Sequence, residues 1–344
     1  MKHLFLYLGS IFLGLLVFIA YRKSQTISDI KPTVRVYASS SFISQWGPGP
    51  WLKSEFEKKC NCKIEYHEAI DSYLMMQKIR SEGPSRGVDL VLGLDDYDLE
   101  IAEKTLSWKA LGISKEILNQ GIIAQGPFFP YDYSQVAIVY RGSAVKNLPK
   151  SLQDLALPEF KDQIALIDPR SSSLGLQFVS WIVKAYGEEK GFELLNQINK
   201  NVKVYAANWS AAYGLFREKQ VNLVLSYTTS PLYHRIEEKN LDIQAAQFQE
   251  GHPLQIEYFG IPQYCTQCEL GLEFAKLILS DVGQKIIMEK NYMLPILSSV
   301  KVNTLFDEIP PFASLERSVP SLREREQIIR QWNAARKKIN DHSN

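Results

Sequence analysis

Short apolar runs alternate with stretches of 3.6-residue periodicity along most of the chain from residue 34 onward. Residues 34–37, 63–66 and 88–92 read as strands, with helices at about 51–59, 73–80 and 100–109 between and after them. Further on, residues 135–140, 164–167 and 255–260 are strand-like. The spacing of Leu176, Phe178, Val179, Ile182 and Val183 marks a helix, and residues 271–290 read as another. Leu223-Val224-Leu225 is apolar throughout, as a parallel strand covered on both faces can be. Such alternation predicts an α/β fold with a parallel sheet and helices on both faces.

The texture changes at residues 128–133, and a second α/β unit runs to about residue 254. The segments 135–140 and 255–260 read as paired crossovers between two lobes. One lobe then takes residues 33–128 and 260–312, the other residues 133–254, and a cleft lies between them. Ile309-Pro310-Pro311 marks a loop, and Ser321-Leu-Arg-Glu324 has the form of a capping box that opens a last helix within residues 320–344.

Three strand ends carry clusters of hydroxyls. The strand at 223–225 runs into Ser226, Tyr227, Thr228, Thr229 and Ser230, and Pro231 suits the first position of a following helix. Residues 164–167 run into Asp168-Pro-Arg-Ser-Ser-Ser173, and residues 34–37 into Ser39-Ser-Ser-Phe42 and the turn-rich Trp46-Gly-Pro-Gly-Pro50. One such junction reads equally well as an ordinary helix cap. Three of them at the C-terminal ends of separate strands suggest a shared polar cleft, at the edge where open α/β sheets bind ligands.

Composition narrows the function further. The 344 residues are 45% hydrophobic, enough for a sizeable core, and their length suits two domains. Lys+Arg 39 against Asp+Glu 38 leaves a net charge of +1, which disfavours nucleic acid as a partner. Residues 4–21 are apolar apart from Gly and Ser10 and are flanked by Lys2, Arg22 and Lys23. That is the pattern of an export signal or a short anchor at residues 1–23, with a polar tether at 24–32. The run ends without a small-x-small cleavage pattern and leans toward an uncleaved anchor. Either reading puts the body of the protein outside the cytoplasm. The four cysteines form two close pairs, Cys60-Asn-Cys62 and Cys265-Thr-Gln-Cys268. A disulfide is expected for Cys265 and Cys268 in an oxidising compartment, and a four-sulfur zinc site is the sharper alternative.

Several segments resemble the thiamine-binding proteins of bacterial ABC importers: Trp46-Gly-Pro-Gly-Pro50, Cys60-Asn-Cys62, Asp89-Leu-Val-Leu-Gly-Leu-Asp95, Asp168-Pro-Arg170, Trp209-Ser-Ala-Ala-Tyr-Gly-Leu-Phe216 and the run from Leu223 to Pro231 with Tyr233-His234. The resemblance spans about residues 34–295. It implies a two-lobed periplasmic binding protein of type II, monomeric and without a cofactor, that captures thiamine or its mono- and diphosphate and delivers it to an inner-membrane ABC permease. It places the ligand contacts on Asp71, Ser72, Ser172, Ser173, Trp209, Tyr227, Thr228, Thr229, Ser230 and Pro231, with Trp46 and Tyr292 as further aromatic candidates. A permanently cationic thiazolium joined to a flat aminopyrimidine calls for aromatic faces, a nearby acid and a few directional acceptors. The hydroxyls at Ser172 and Ser173 and at residues 228–230 are the donors expected to read a phosphate. The sequence departs from the family at Ser39, where a tyrosine is common, and at Tyr292, where a tryptophan is; Cys265 and Cys268 lie outside the pattern. Two alternatives share this scaffold. A thiaminase would need a cysteine nucleophile, and no cysteine falls at a strand-to-helix turn. An iron carrier would use paired tyrosines such as Tyr227 and Tyr233, against which Trp209 and the hydroxyls fit an organic cation better.

Overall fold

The computed structural model describes residues 31–119, 121–300 and 304–341; the apolar segment and tether at the N-terminus lie outside them. Two half-sheets share one long strand. In the first, β1 (Thr33–Ser39) lies between β2 (Lys63–Ala69) and β3 (Leu90–Asp95), all parallel. In the second, β5 (Ile164–Ile167) lies between β6 (Val202–Ala206) and β7 (Leu223–Tyr227), again parallel. The strands that join the halves run the other way. β4 (Phe129–Arg141) pairs antiparallel with β9 (Leu254–Gly260) through Gln135↔Leu254, and from Val136 onward with β7 and with β8 (Ile243–Ala245). β9 also pairs antiparallel with β3, and the short β10 (Leu294–Pro295) pairs antiparallel with β4. The sheet is therefore mixed and not wholly parallel, because β4 and β9 cross between lobes in opposite directions and turn each end strand of a parallel set against an antiparallel neighbour.

Each half buries its own core. One is built on Val36, Leu90, Leu92, Phe128, Tyr131, Phe259 and Phe274, the other on Val136, Ile138, Leu166, Phe178, Leu225 and Trp332. The change of core falls within β4, between Tyr131 and Val136. Of residues 128–133, which look like a boundary in the sequence, all but Phe128 are thus part of one continuous strand.

Helices cover both faces. They are α1 (Gly49–Cys60), α2 (Ser72–Glu82), α3 (Leu99–Thr105), α4 (Ser173–Tyr186), α5 (Glu188–Asn199), α6 (Trp209–Arg217), α7 (Pro231–Glu237), α8 (Cys268–Ile278), α9 (Asp281–Lys290) and α10 (Leu322–Asp341). Two helices differ from the sequence reading. The helix expected at 100–109 ends at Thr105, because Trp108 leaves the helical path to donate from Nε1 to the Ala102 carbonyl and to bridge to Pro262. The helix expected at 271–290 is two helices, since Ser280 caps the second through the Gly283 amide. Both cysteine pairs are disulfides, Cys60–Cys62 at the end of α1 and Cys265–Cys268 at the start of α8.

The C-terminal segment ties the lobes together. Ser321 and Glu324 form the reciprocal capping box at the start of α10, which then packs Trp332 into the second core beside α4 and α5. On the way it is held to the first lobe: Arg317 pairs with Asp96 at 2.8 Å, the Leu322 amide donates to Glu100, and buried Arg325 pairs with buried Asp98 at 2.6 Å.

Candidate ligand cleft

The three hydroxyl-bearing junctions meet in one cleft of about 660 Å³ between the lobes, lined by Ser39 from β1, by Ser173 at the start of α4, and by Tyr227, Thr229 and Ser230 after β7. Local packing fixes the second junction. A Cβ at Gly175 would lie 2.5 Å from the Ile167 carbonyl oxygen, so only glycine lets the first turn of α4 sit against the end of β5. The N-terminus of α4 therefore lands on the opposite lobe. The Ser173 amide donates to Asp71 Oδ1 at 3.4 Å, and its hydroxyl donates to Asp95.

Aromatic rings form the walls. Asn208 caps α6 through the Ala211 amide, which sets Trp209 at its first position. The indole stacks on Tyr213 at 4.8 Å and 21°, and its Nε1–H donates to Ser226 Oγ at 2.8 Å. Behind it, the Tyr213 hydroxyl meets His234 Nε2 at 2.9 Å, and His234 Nδ1 meets Glu238 at 2.6 Å. Burial pulls His234 below the ordinary imidazole value although Glu238 works against it. The lowered value favours the neutral imidazole, whose Nε2 accepts the hydrogen bond of the Tyr213 O–H while Nδ1–H faces Glu238. Tyr227 touches both cores and accepts from Gln255 at 3.0 Å. Tyr233 and Tyr292 meet edge to face at 5.6 Å, and the Tyr292 hydroxyl donates across the lobes to Glu237 at 3.0 Å.

Carboxyl groups form the floor. Asp71 caps α2 through the Tyr73 amide, Asp95 ends β3, and Ser72 donates to Asp98. Burial, reinforced by the charge of Asp98, pushes the Asp71 carboxyl up to about 6. The same two causes hold Asp95 well above the usual carboxylate range. Glu257 on β9 also lines the cleft and accepts from the Tyr131 hydroxyl; burial raises it too. Burial thus makes ionisation of these groups costly, and a cation in the cleft would favour their ionised form.

The sequence pattern of the bacterial extracellular solute-binding proteins matches residues 52–292. The thiamine-binding periplasmic protein of Salmonella typhimurium is 37% identical over 308 residues, which cover 89% of this chain and 94% of that protein. The chain belongs to the family of thiamine-binding periplasmic proteins. Family members of the same name from Escherichia coli, 34% identical over 89% of this chain and 94% of their own length, and from Haemophilus influenzae, 32% identical over 91% and 94%, are similar along nearly the same span. A solved periplasmic thiamin binding protein superposes with a TM-score of 0.84 at 34% identity and covers 89% of this chain and 96% of its own. Iron-bound HitA from Pseudomonas aeruginosa, at 17% identity and a TM-score of 0.71, shares the fold. The two-lobed α/β architecture expected from the family resemblance is thus the architecture of this chain.

Of the residues to which the thiamine-binding family pointed, Asp71, Ser72, Ser173, Trp209, Tyr227, Thr229, Ser230, Trp46 and Tyr292 line the cleft. Three do not. Ser172 is fully buried at the N-cap of α4, Thr228 turns inward to Ser134, and Pro231 serves as the first residue of α7. Trp46 does not pack beneath its Gly-Pro loop; at 71% exposure it stands free on the rim. Asp71, to which only the family resemblance pointed, is held on the floor. Sequence reasoning missed Tyr213, Asp95, Gln255 and Glu257. Asp95 had a signal, since it ends an apolar strand where a ligand edge is expected. Tyr213 sits one turn after Trp209, so helical spacing could have found it.

Proposed function

We propose that this protein captures thiamine in the cleft between its lobes and hands it to an ABC permease. The observation that carries this reading is the pairing of an aromatic wall, Trp209 on Tyr213, with a floor of buried carboxyls whose ionisation a cationic guest would favour. Thiamine supplies both a flat ring and a fixed positive charge, and the relatives named for thiamine binding support the choice. The periplasm is the compartment those relatives imply. Among the described residues no helix is long and apolar enough to cross a membrane. We take residues 33–128 with 260–312 as one lobe and 133–254 as the other, in keeping with the two cores.

Thiamine phosphates belong to the proposal as well, with a change of emphasis. Ser173 already donates to Asp95, and the acidic floor opposes an anion there. Arg217 and Lys290 are cations on the lining and offer the phosphate a better seat. We read the protein as a carrier and not a catalyst, because both cysteine pairs are closed as disulfides and leave no thiol as nucleophile. Calorimetry with thiamine, its monophosphate and its diphosphate tests class and ligand together. Saturable 1:1 binding without turnover is expected; no binding of any of the three, or cleavage of thiamine, would overturn the reading.

A further inference from the structure

Three acids stand on one rung of the sheet. Asp95 on β3 is the register partner of Glu257 on β9, and Glu257 is the register partner of Asp132 on β4. Side chains on directly opposed residues share a face, and like charges placed this way repel. Asp95 and Glu257 line the cleft, while Asp132 is fully buried behind them. Their hydrogen-bond partners are neutral: Ser173 and Gln177 on Asp95, Tyr131 on Glu257, and Asn291 on Asp132 at 2.8 Å. No Lys or Arg pairs with any of the three among the described residues. Asp132 Oδ1 in particular is buried without a donor. A proton placed between it and Glu257 supplies one.

The charged groups around the rung do not replace that proton. Asp71 on α2 adds a fourth carboxyl, and Arg325 and Arg317 are committed to Asp98 and Asp96. Tyr131 and Tyr227 are held in their neutral form by burial and by the neighbouring Glu257. Lys290 lies over Trp51 and Arg217 over Tyr233 at the rim, beside Glu237. The rung therefore favours keeping a proton when the cleft is empty, and a cation in the cleft favours its release.

We propose that a cationic ligand expels to solvent a proton held on the Asp95–Glu257–Asp132 rung, and that Glu257 is the carboxylate that answers the ligand's charge. This deepens the thiamine reading and rests on it. Linkage then makes affinity fall as pH is lowered, by up to about tenfold per pH unit for one proton released. The test is calorimetry of the purified protein at pH 7 in two buffers of different ionisation enthalpy, with thiamine and with its uncharged thiophene isostere. The isostere keeps the aminopyrimidine, so protonation of that ring cancels in the comparison. Thiamine is expected to release ~1 proton and the isostere none. In Glu257→Gln the release should vanish, thiamine should weaken at least ~10-fold, and the isostere should change less than ~3-fold. Buffer-independent heat for thiamine in the unaltered protein, or undiminished release in Glu257→Gln, would overturn the proposal. The first of these arms needs no variant, so a Glu257→Gln protein that fails to fold does not shelter the idea. Absence of thiamine binding altogether would remove the functional reading, whereas tight binding without proton release removes this inference alone.

Discussion

Replacing Trp209 with alanine separates its two roles. The indole presents one face to the cleft and covers Tyr213 with the other at 4.8 Å. A cation–π contact contributes about 0.5–2 kcal/mol and aromatic stacking about 0.5–1.5 kcal/mol. Trp209→Ala should therefore weaken thiamine by about 1–3 kcal/mol, or about 5- to 150-fold. The fold loses less than a core tryptophan would cost. Trp209 is only half-buried, and Ser226 keeps its 2.7 Å contact with Ser230 once the indole N–H is gone. A stability loss of about 2 kcal/mol follows, from one hydrogen bond and part of an aromatic burial. Titration calorimetry beside urea denaturation reads both quantities, and Trp209→Phe, which keeps a π face but no N–H, divides them. Phe should retain affinity within about fivefold. Unchanged affinity in folded Trp209→Ala would take the indole out of the site, and equal losses in Ala and Phe would show that the Ser226 hydrogen bond, not the ring face, matters.

Two further outcomes test the floor and the tie. Asp71 is a carboxyl raised to about 6 in the folded protein from 3.8, so the folded state binds more protons than the unfolded between those values and loses stability as pH rises through them. Asp71→Asn keeps a good helix cap, and should stabilise the empty protein by about 1–2 kcal/mol at pH 7, hardly at all near pH 4, and still weaken thiamine; a gain of equal size at both pH values would refute the assignment. Arg325→Met should cost about 3–5 kcal/mol in urea unfolding, because it leaves Asp98 buried without its counter-charge, and a cost below about 1 kcal/mol would refute the role of this pair in holding the C-terminal segment to the first lobe.

Much of this architecture was legible in the chain because local signals and tertiary use agreed. The capping box at Ser321 and Pro231 at the start of α7 each do in the structure what their residue types do in isolation. What escaped reading depends on pairings between distant strands. Nothing near Asp132 or Glu257 announces that the two are register partners across 125 residues. Antiparallel crossovers also look like any other apolar run, so the mixed direction of the sheet stayed hidden. The break at Ser280 was missed because apolar periodicity continues on both sides of it, and a serine is a weak stop signal beside glycine or proline.

The route of the C-terminal segment has a mechanical consequence. Two strands alone would let the lobes both swing and twist about their common axis. The third attachment lies to one side of that axis, with Trp332 rooted in one lobe and Arg325 clasping the other. It resists torsion, because Arg317 on Asp96 and the Leu315 amide on the His252 carbonyl also pin the stretch that leads into α10. A closing motion that kept all three attachments would have to be a swing about one axis, like that of a book whose spine has been glued along one extra edge. Such a swing would bring the rims carrying Trp46 and Tyr233 to the same facing position each time.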